Sequence, residues 1–146
     1  ARAPPVLERV GRGGSITEYL APHVMLPAPG QGALALEVSA QLDPAGPLMR
    51  GLEAVDHLPT RLAVTAERAV LAQLEAGCAA PVGTFARVAG DVLELDVVVA
   101  NPDGSEVMRR SESVPAPSVE EAEAFGRRVA DDLLAQGADR LARLSL

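Results

Sequence analysis

The sequence predicts an α/β chain with an α+β C-terminal part, in which a three-stranded antiparallel sheet has helices on one face. The first observation is a set of three strand-like runs at residues 84–89, 92–100 and 105–113. The second observation is that apolar side chains alternate with acidic ones in the second of these runs, as in a strand with one buried face. The third observation is Ser118 with Glu121 three residues later, a capping box that starts a helix. Because an antiparallel sheet can leave one face in water, the helices are expected to cover the other face.

Turn-forming residues separate these elements. Residues 90–91, Gly-Asp, fit a two-residue hairpin turn. Residues 101–104, Asn-Pro-Asp-Gly, form a strong turn signal. Pro115 is expected to interrupt the third strand, and the helix after the capping box is expected to end at Gly137. A last short helix is predicted over residues 138–144.

A helix with one apolar face precedes the sheet. Apolar residues recur every four positions on this face: Leu62, Ala66, Val70 and Leu74. Asp56 or His57, followed by Pro59, can start the helix, since proline is tolerated in a first turn. Gly77 is expected to end it, because glycine adopts the left-handed cap conformation without steric cost. Cys78 would then lie on the turn that leads to the sheet.

Cys78 is the only cysteine, and residue type alone leaves its role open. A lone cysteine is commonly a small buried hydrophobe. A position at a helix-to-strand corner, beside two alanines, would instead leave room for a large attached group. The negative end of a helix disfavours a thiolate, so a nucleophilic Cys78 would need cations from elsewhere in the fold. With two histidines and no second cysteine, no metal site is expected.

Composition excludes several function classes. The net charge is −7 and all 13 cations are arginines, which argues against nucleic acid or an anionic membrane as the main partner. A single cysteine excludes an internal disulfide and fits a reducing compartment, so a cytoplasmic location is expected. We find no signal-peptide pattern, and no run approaches the roughly 18 apolar residues of a membrane span.

The first 56 residues form short pieces, and nothing in the first 27 is expected to bury a core alone. These pieces are a helix at 5–10, a helical turn at 16–20 capped by Ser15, strands at 23–26 and 33–38, a glycine-rich turn at 27–32, and a linker with a short helix at 41–56. Two glycines around Gln31 would let the turn backbone approach a ligand closely. Leu48, Leu52 and Val55 give the short helix an apolar stripe.

Two segments resemble a known family. AERAVLAQLEAGCAAPVG, residues 66–83, resembles the cofactor-attachment segment of the porphobilinogen deaminases, also called hydroxymethylbilane synthases. LPAPGQGALALE, residues 26–37, resembles that family's other well-marked stretch, and the pattern of residues 83–144 is similar to its C-terminal domain. The family protein is roughly twice this length, so the chain resembles its C-terminal half.

The resemblance implies a domain plan. Residues 1–42 would be C-terminal remnants of domains 2 and 1, fragments of a two-domain α/β region like that of periplasmic binding proteins. Residues 43–56 would be a linker with a short helix. Residues 57–146 would be the cofactor-carrying C-terminal α+β domain. The full-length protein is expected to be a monomer.

The resemblance also implies chemistry. The family transferase condenses four porphobilinogen molecules into hydroxymethylbilane, releasing ammonia, in porphyrin and haem biosynthesis. Its dipyrromethane cofactor is held by a thioether to the motif cysteine, here Cys78. Arg9 matches an arginine that contacts carboxylates of the cofactor or growing polypyrrole chain, and Gln31 and Gly32 lie in a turn beside the active-site cleft.

No catalytic residue is expected within this chain, because the family's catalytic aspartate belongs to the N-terminal half. The chain alone is therefore expected to be inactive. One alternative is a binding or structural module of the same descent that is no longer catalytic. Another is an unrelated small α+β protein with a buried cysteine.

Overall fold

The computed structural model describes residues 4–77, 80–115 and 117–142. Its helices and strands are, in chain order, α1 (Pro4–Arg9), a 3-10 turn (Gly13–Ser15), α2 (Pro47–Val55), α3 (Leu58–Gln73), β1 (Val82–Ala89), β2 (Val92–Ala100), β3 (Val107–Pro115), α4 (Val119–Ala135) and α5 (Ala138–Ala142). In this part of the chain, no helix has both the length and the apolar content needed to cross a membrane. Residue 144, the predicted end of the last helix, lies outside the described residues.

The three predicted strands form one antiparallel sheet in the order β1-β2-β3. Ala89 pairs with Val92, which confirms the two-residue hairpin turn. The third strand starts two residues later than predicted, because the turn before it is longer: the Asn101 N–H donates to the Glu106 carbonyl. Pro115 is the last residue of β3 and does not interrupt it, since an edge strand tolerates a residue without an N–H.

The core lies between one face of the sheet and helices α3 and α4. All four apolar residues predicted to face inward from β2 are at most 1% exposed: Leu93, Leu95, Val97 and Val99. The predicted apolar face of α3 is also buried, as expected for a helix covering a sheet. The capping box at Ser118 and Glu121 is present, so the predicted start of α4 is confirmed.

Helices α3 and α4 cross at Gly126, where the two backbones approach closely. A Cβ atom added at Gly126 would lie 2.2 Å from the Ala66 carbonyl oxygen and 2.8 Å from the Ala69 Cβ. A side chain of any size would therefore push the helices apart. Glycine at this position allows the close crossing that buries the α3 face.

The C-terminus of α3 differs from the prediction. The left-handed residue is Glu75, with φ 49°, so the expectation that Gly77 caps the helix is wrong. The Ala76 N–H donates to the Leu71 carbonyl and the Glu75 N–H to the Ala72 carbonyl, both at 3.1 Å, which is the Schellman pattern. Packing sets this position, because Leu74 is fully buried and the chain must turn directly after it.

Glu75→Gly is expected to raise the free energy of unfolding by about 1 kcal/mol, because a left-handed backbone strains every residue with a Cβ atom. Urea denaturation measures the change. Glu75→Ala is the matched control, since it removes the same carboxylate but keeps the strain. A glycine variant no more stable than the alanine variant would contradict the assignment of the cap to Glu75.

The N-terminal segment also differs from the prediction. Within residues 4–42, helical structure occurs at α1 and at Gly13–Ser15, and the helical turn predicted at 16–20 is wrong. The strands predicted at 23–26 and 33–38 are wrong as well, because a strand needs a neighbour to bond its backbone, and the described part of the chain supplies none. Leu34 and Leu36 are 96% and 68% exposed.

One part of this segment docks on the sheet. Leu26 and Pro27 are buried, and the Pro27 carbonyl accepts a hydrogen bond of 2.9 Å from the Thr84 N–H. Gly83 makes this contact close, since a Cβ atom there would lie 3.0 Å from the Leu26 Cβ. The segment is therefore held against β1, and this contact positions the glycine-rich turn at residues 27–32 near that strand.

Candidate functional site

A buried glutamate joins the glycine-rich turn to the helix and the sheet. Glu67 lies in the middle of α3 and is 6% exposed. Its Oε2 accepts a hydrogen bond of 2.6 Å from the Gly30 N–H, and its Oε1 accepts one of 2.7 Å from the Ala86 N–H. One carboxylate thus connects the turn at residues 27–32 to α3 and to β1.

Glu67 is not among the site residues predicted from the sequence, although the sequence contains a signal for it. Glu67 lies four residues after Ala63 and three before Val70, which are both buried, so it falls on the apolar side of α3. A charge at such a position is either paired or hydrogen-bonded when buried. Its bonding partners are 37 and 19 residues away in sequence, so the helical pattern alone could not identify them.

Burial raises the pKa of the Glu67 carboxyl above its ordinary value, because a charged carboxylate loses its hydration there. The hydrogen bonds from the Gly30 and Ala86 N–H groups partly offset this rise, because they favour the ionised form. No cation bonds to Glu67 within the described ranges. Within these residues, two backbone N–H groups therefore bond this carboxylate in place of a salt bridge.

We expect the stabilising contribution of Glu67 to fall as pH rises. A carboxyl with a raised folded-state pKa contributes fully below its unfolded-state pKa, and it loses that contribution as pH rises through the folded-state pKa. The measurement is the free energy of unfolding of the wild type minus that of Glu67→Gln, taken from acid to neutral pH. A difference that grew with pH would show a lowered pKa and contradict this expectation.

Residues 27–32 form a turn in the structure, as predicted from the sequence. Gly30 has φ 75° and Gly32 has φ 87°, and the Ala33 N–H donates to the Gly30 carbonyl. Apart from the adjacent residues of the chain, no described heavy atom lies within 4 Å of a Cβ atom built on either glycine. The backbone on both sides of the exposed Gln31 is therefore open, as required where a ligand approaches a main chain closely.

The turn separates two clefts of the size that small ligands use. The first, about 700 Å³, lies between the turn, the start of α3 and the outer edge of β1, and Gln31, Gly32, Glu67 and Phe85 contribute to its lining. The second, about 720 Å³, lies between the turn, residues 33–36, α2 and α3. Gly32 lines both clefts.

Two arginines line the second cleft, and they differ in their partners. Arg61 forms a hydrogen-bonded ion pair with Asp56. Arg68 is exposed, and it pairs with no acidic group in the described part of the chain. A guanidinium without a partner beside an open glycine turn can bind a carboxylate group. Arg68 was not singled out from the sequence.

The structure brings together some of the predicted site residues. Gln31 and Gly32 line the first cleft, to which Glu67 also contributes. Arg9 ends α1, is exposed, and lines neither cleft in the described structure. Cys78 lies outside the described residues, directly after Gly77. The roles predicted for Arg9 and Cys78 stay predictions.

Comparison with known proteins gives two matches to family models. The model described as "Porphobilinogen deaminase, dipyromethane cofactor binding domain" matches residues 3–45. The model described as "Porphobilinogen deaminase, C-terminal domain" matches residues 61–135. The first match contains the glycine turn, and the second contains Glu67 and Cys78.

Curated relatives give the same result. A porphobilinogen deaminase of Thermobifida fusca is 51% identical over 140 residues, covering 92% of this chain and 43% of the relative. One from Cutibacterium acnes is 48% identical, covering 94% of this chain and 45% of the relative. One from Acidothermus cellulolyticus is 47% identical, covering 92% and 40%. The chain thus spans less than half the length of these relatives.

Proposed function

Because this chain belongs to the porphobilinogen deaminase family, we propose that it is the C-terminal part of a hydroxymethylbilane synthase and carries the covalent dipyrromethane cofactor on Cys78. The family is one of transferases in tetrapyrrole synthesis. The observation that carries the proposal is the order of the two matches, first the cofactor-binding domain and then the C-terminal domain with Cys78 inside it. The complete protein would join four porphobilinogen molecules into hydroxymethylbilane and release ammonia.

The described residues fit such a cofactor. The glycine turn leaves space over Gly30 and Gly32, where a flat pyrrole ring can approach the backbone. The exposed Gln31 amide can both donate and accept hydrogen bonds. Arg68, at the second cleft, suits one of the carboxylate groups that pyrroles of this pathway bear.

When bound, the cofactor supplies the primer to which pyrrole units are added. The role proposed for Cys78 is a stable thioether, because sulfur is a soft nucleophile that reacts readily with electrophilic carbon. The role proposed for Arg9 is to bind carboxylates of the cofactor or the growing chain, with its side chain exposed for that purpose. Gln31 and Gly32 would border the bound chain.

The proposal includes the domain plan. Residues 1–42 would complete two N-terminal domains of the kind found in periplasmic binding proteins, 43–56 would be the linker, and 57–146 the cofactor-carrying domain. The high exposure of Leu34 and Leu36 supports this plan, because an alternating segment with exposed leucines suits a strand that pairs with a missing sheet. We place the complete protein in the cytoplasm as a monomer, with porphobilinogen and the growing polypyrrole as its partners.

We expect the purified 146-residue chain to make no hydroxymethylbilane from porphobilinogen. Proton transfer to and from the substrate needs a carboxylate placed beside the reacting atoms. In the part of the chain that the structure describes, no acidic side chain except Glu67 is buried at either cleft, and both Glu67 oxygens already accept hydrogen bonds. Product formation and ammonia release measure turnover.

The control is the complete protein, in which the proposed N-terminal half precedes this chain. Turnover by that complete protein, together with an inactive isolated chain, is the expected pair of results. Sustained turnover by the 146-residue chain would contradict the proposal that catalysis requires the N-terminal half. An inactive complete protein would favour the alternative, a non-catalytic module of the same descent.

A further inference from the structure

Resting on the proposed function, we propose that Glu67 is a positioning residue that fixes the Gln31–Gly32 turn relative to the helix leading to Cys78. Glu67 does not itself need to touch substrate or cofactor. It acts through the backbone of Gly30, which directly precedes Gln31. Glu67 is therefore expected to determine where the two ligand-facing residues of the turn lie.

Two separate contacts hold the turn. The Pro27 carbonyl accepts a hydrogen bond from the Thr84 N–H, which fixes the first residue of the turn to β1. The Gly30 N–H donates to Glu67, which fixes the middle of the turn to α3. Both contacts precede Gln31, so the backbone that leads to Gln31 is held, while its exposed side chain remains open to the cleft.

The carboxylate is suited to this task by its shape. Its two oxygens each accept one backbone N–H group, and these groups belong to different elements. A glutamine at position 67 has one acceptor oxygen, and its NH2 group would face an N–H donor. An aspartate is shorter by one methylene group, so it cannot span the same two donors without movement of α3.

Stability alone does not explain a carboxylate at this position. Burying a charge without an opposite charge is unfavourable, and replacing buried ionic groups by apolar side chains is often neutral or stabilising. Glu67 lies on a face of α3 otherwise formed by alanine, valine and leucine. What the carboxylate adds is a fixed distance between the Gly30 backbone and the sheet.

Hydrogen exchange on the 146-residue chain tests the anchoring. In Glu67→Gln, the one remaining acceptor oxygen is expected to face the more deeply buried Ala86 N–H, so that Gly30 loses its acceptor. Exchange of the Gly30 N–H should then rise about tenfold more than exchange of the Val97 N–H in β2. Val129→Ala is the control: Val129 is fully buried in α4 and lines neither cleft, so both amides should change together. An equal change of the two amides in Glu67→Gln would overturn the anchoring.

Steady-state kinetics of the complete protein test whether the positioning of the turn by Glu67 affects catalysis. With the cofactor content of both variants matched, Glu67→Gln should lower kcat by about tenfold while Val129→Ala, with a similar loss of thermal stability, keeps its kcat. An equal kcat for the two variants would overturn the positioning role. If the complete wild-type protein showed no turnover, the proposed function and the expected effect of Glu67 on kcat would both be contradicted. The hydrogen-exchange experiment tests the anchoring of the turn by Glu67 independently of that result.

Discussion

Gly126→Ala is expected to lower the free energy of unfolding by about 3 kcal/mol, one of the two largest effects expected in this chain. The added Cβ atom would lie 2.2 Å from the Ala66 carbonyl oxygen, which belongs to a helix backbone and cannot rotate away. Helices α3 and α4 would have to separate, and the core between them would lose contacts. The higher helix propensity of alanine, about 1 kcal/mol, offsets only part of this loss.

Urea denaturation of the 146-residue chain measures the effect, and Gly51→Ala is its matched control. Gly51 lies within α2, where no described heavy atom other than adjacent residues and the helix's own nearby backbone comes within 4 Å of an added Cβ atom. The same substitution there should be neutral or stabilising by up to about 1 kcal/mol. If Gly126→Ala behaved like Gly51→Ala, the close crossing of α3 and α4 would be wrong.

Cys78→Ser in the complete protein is expected to fold and to lack a stably attached cofactor. Serine has nearly the shape of cysteine, so a stability loss of only about 1 kcal/mol is expected. The hydroxyl group is a far weaker nucleophile near neutral pH than a thiol, because a thiol ionises much closer to neutral pH. An oxygen ether to a pyrrole-bearing carbon would also break more easily in acid.

Two measurements are needed for this variant. Thermal melting reports the fold, and the colour reaction with acidic dimethylaminobenzaldehyde reports the pyrrole cofactor. A folded serine variant with full colour would show that Cys78 is not the attachment residue. A variant that cannot fold even with preassembled tetrapyrrole would instead identify Cys78 as a buried structural cysteine.

The sheet and α4 could be predicted from sequence because their signals are local. The alternation in β2, the glycine-containing turns and the capping box at Ser118 each involve residues close together in the chain. The end of α3 could not be predicted in the same way. Glycine is the usual left-handed residue, but burial of Leu74 moved the turn to Glu75, and burial depends on the whole core.

The two predicted N-terminal strands failed for a different reason. A helix satisfies its own backbone hydrogen bonds, whereas a strand requires a partner. Residues 33–38 have the alternation of a strand, but the described part of the chain offers them no sheet to join. Under the proposed domain plan, their partner strand would belong to the part of the relatives that this chain does not cover, since the chain covers 43% and 45% of two of them.

The candidate site was predicted in part. The glycine turn was recognised because its two glycines and its glutamine are adjacent in sequence. Glu67 was not, because a glutamate within a helix is ordinarily a solvent-facing residue. Only the approach of Gly30, from 37 residues away, makes this carboxylate part of the site.

The most direct test of the central claim is the mass of the peptide that contains Cys78. Trypsin should release residues 69–87 as one peptide, since they are bounded by Arg68 and Arg87 and contain no other arginine or lysine before the final residue. In the complete, natively expressed and active protein, we predict that this peptide carries one dipyrromethane, attached at Cys78. An unmodified peptide 69–87 from active protein, with the pyrrole mass located elsewhere, would contradict the claim.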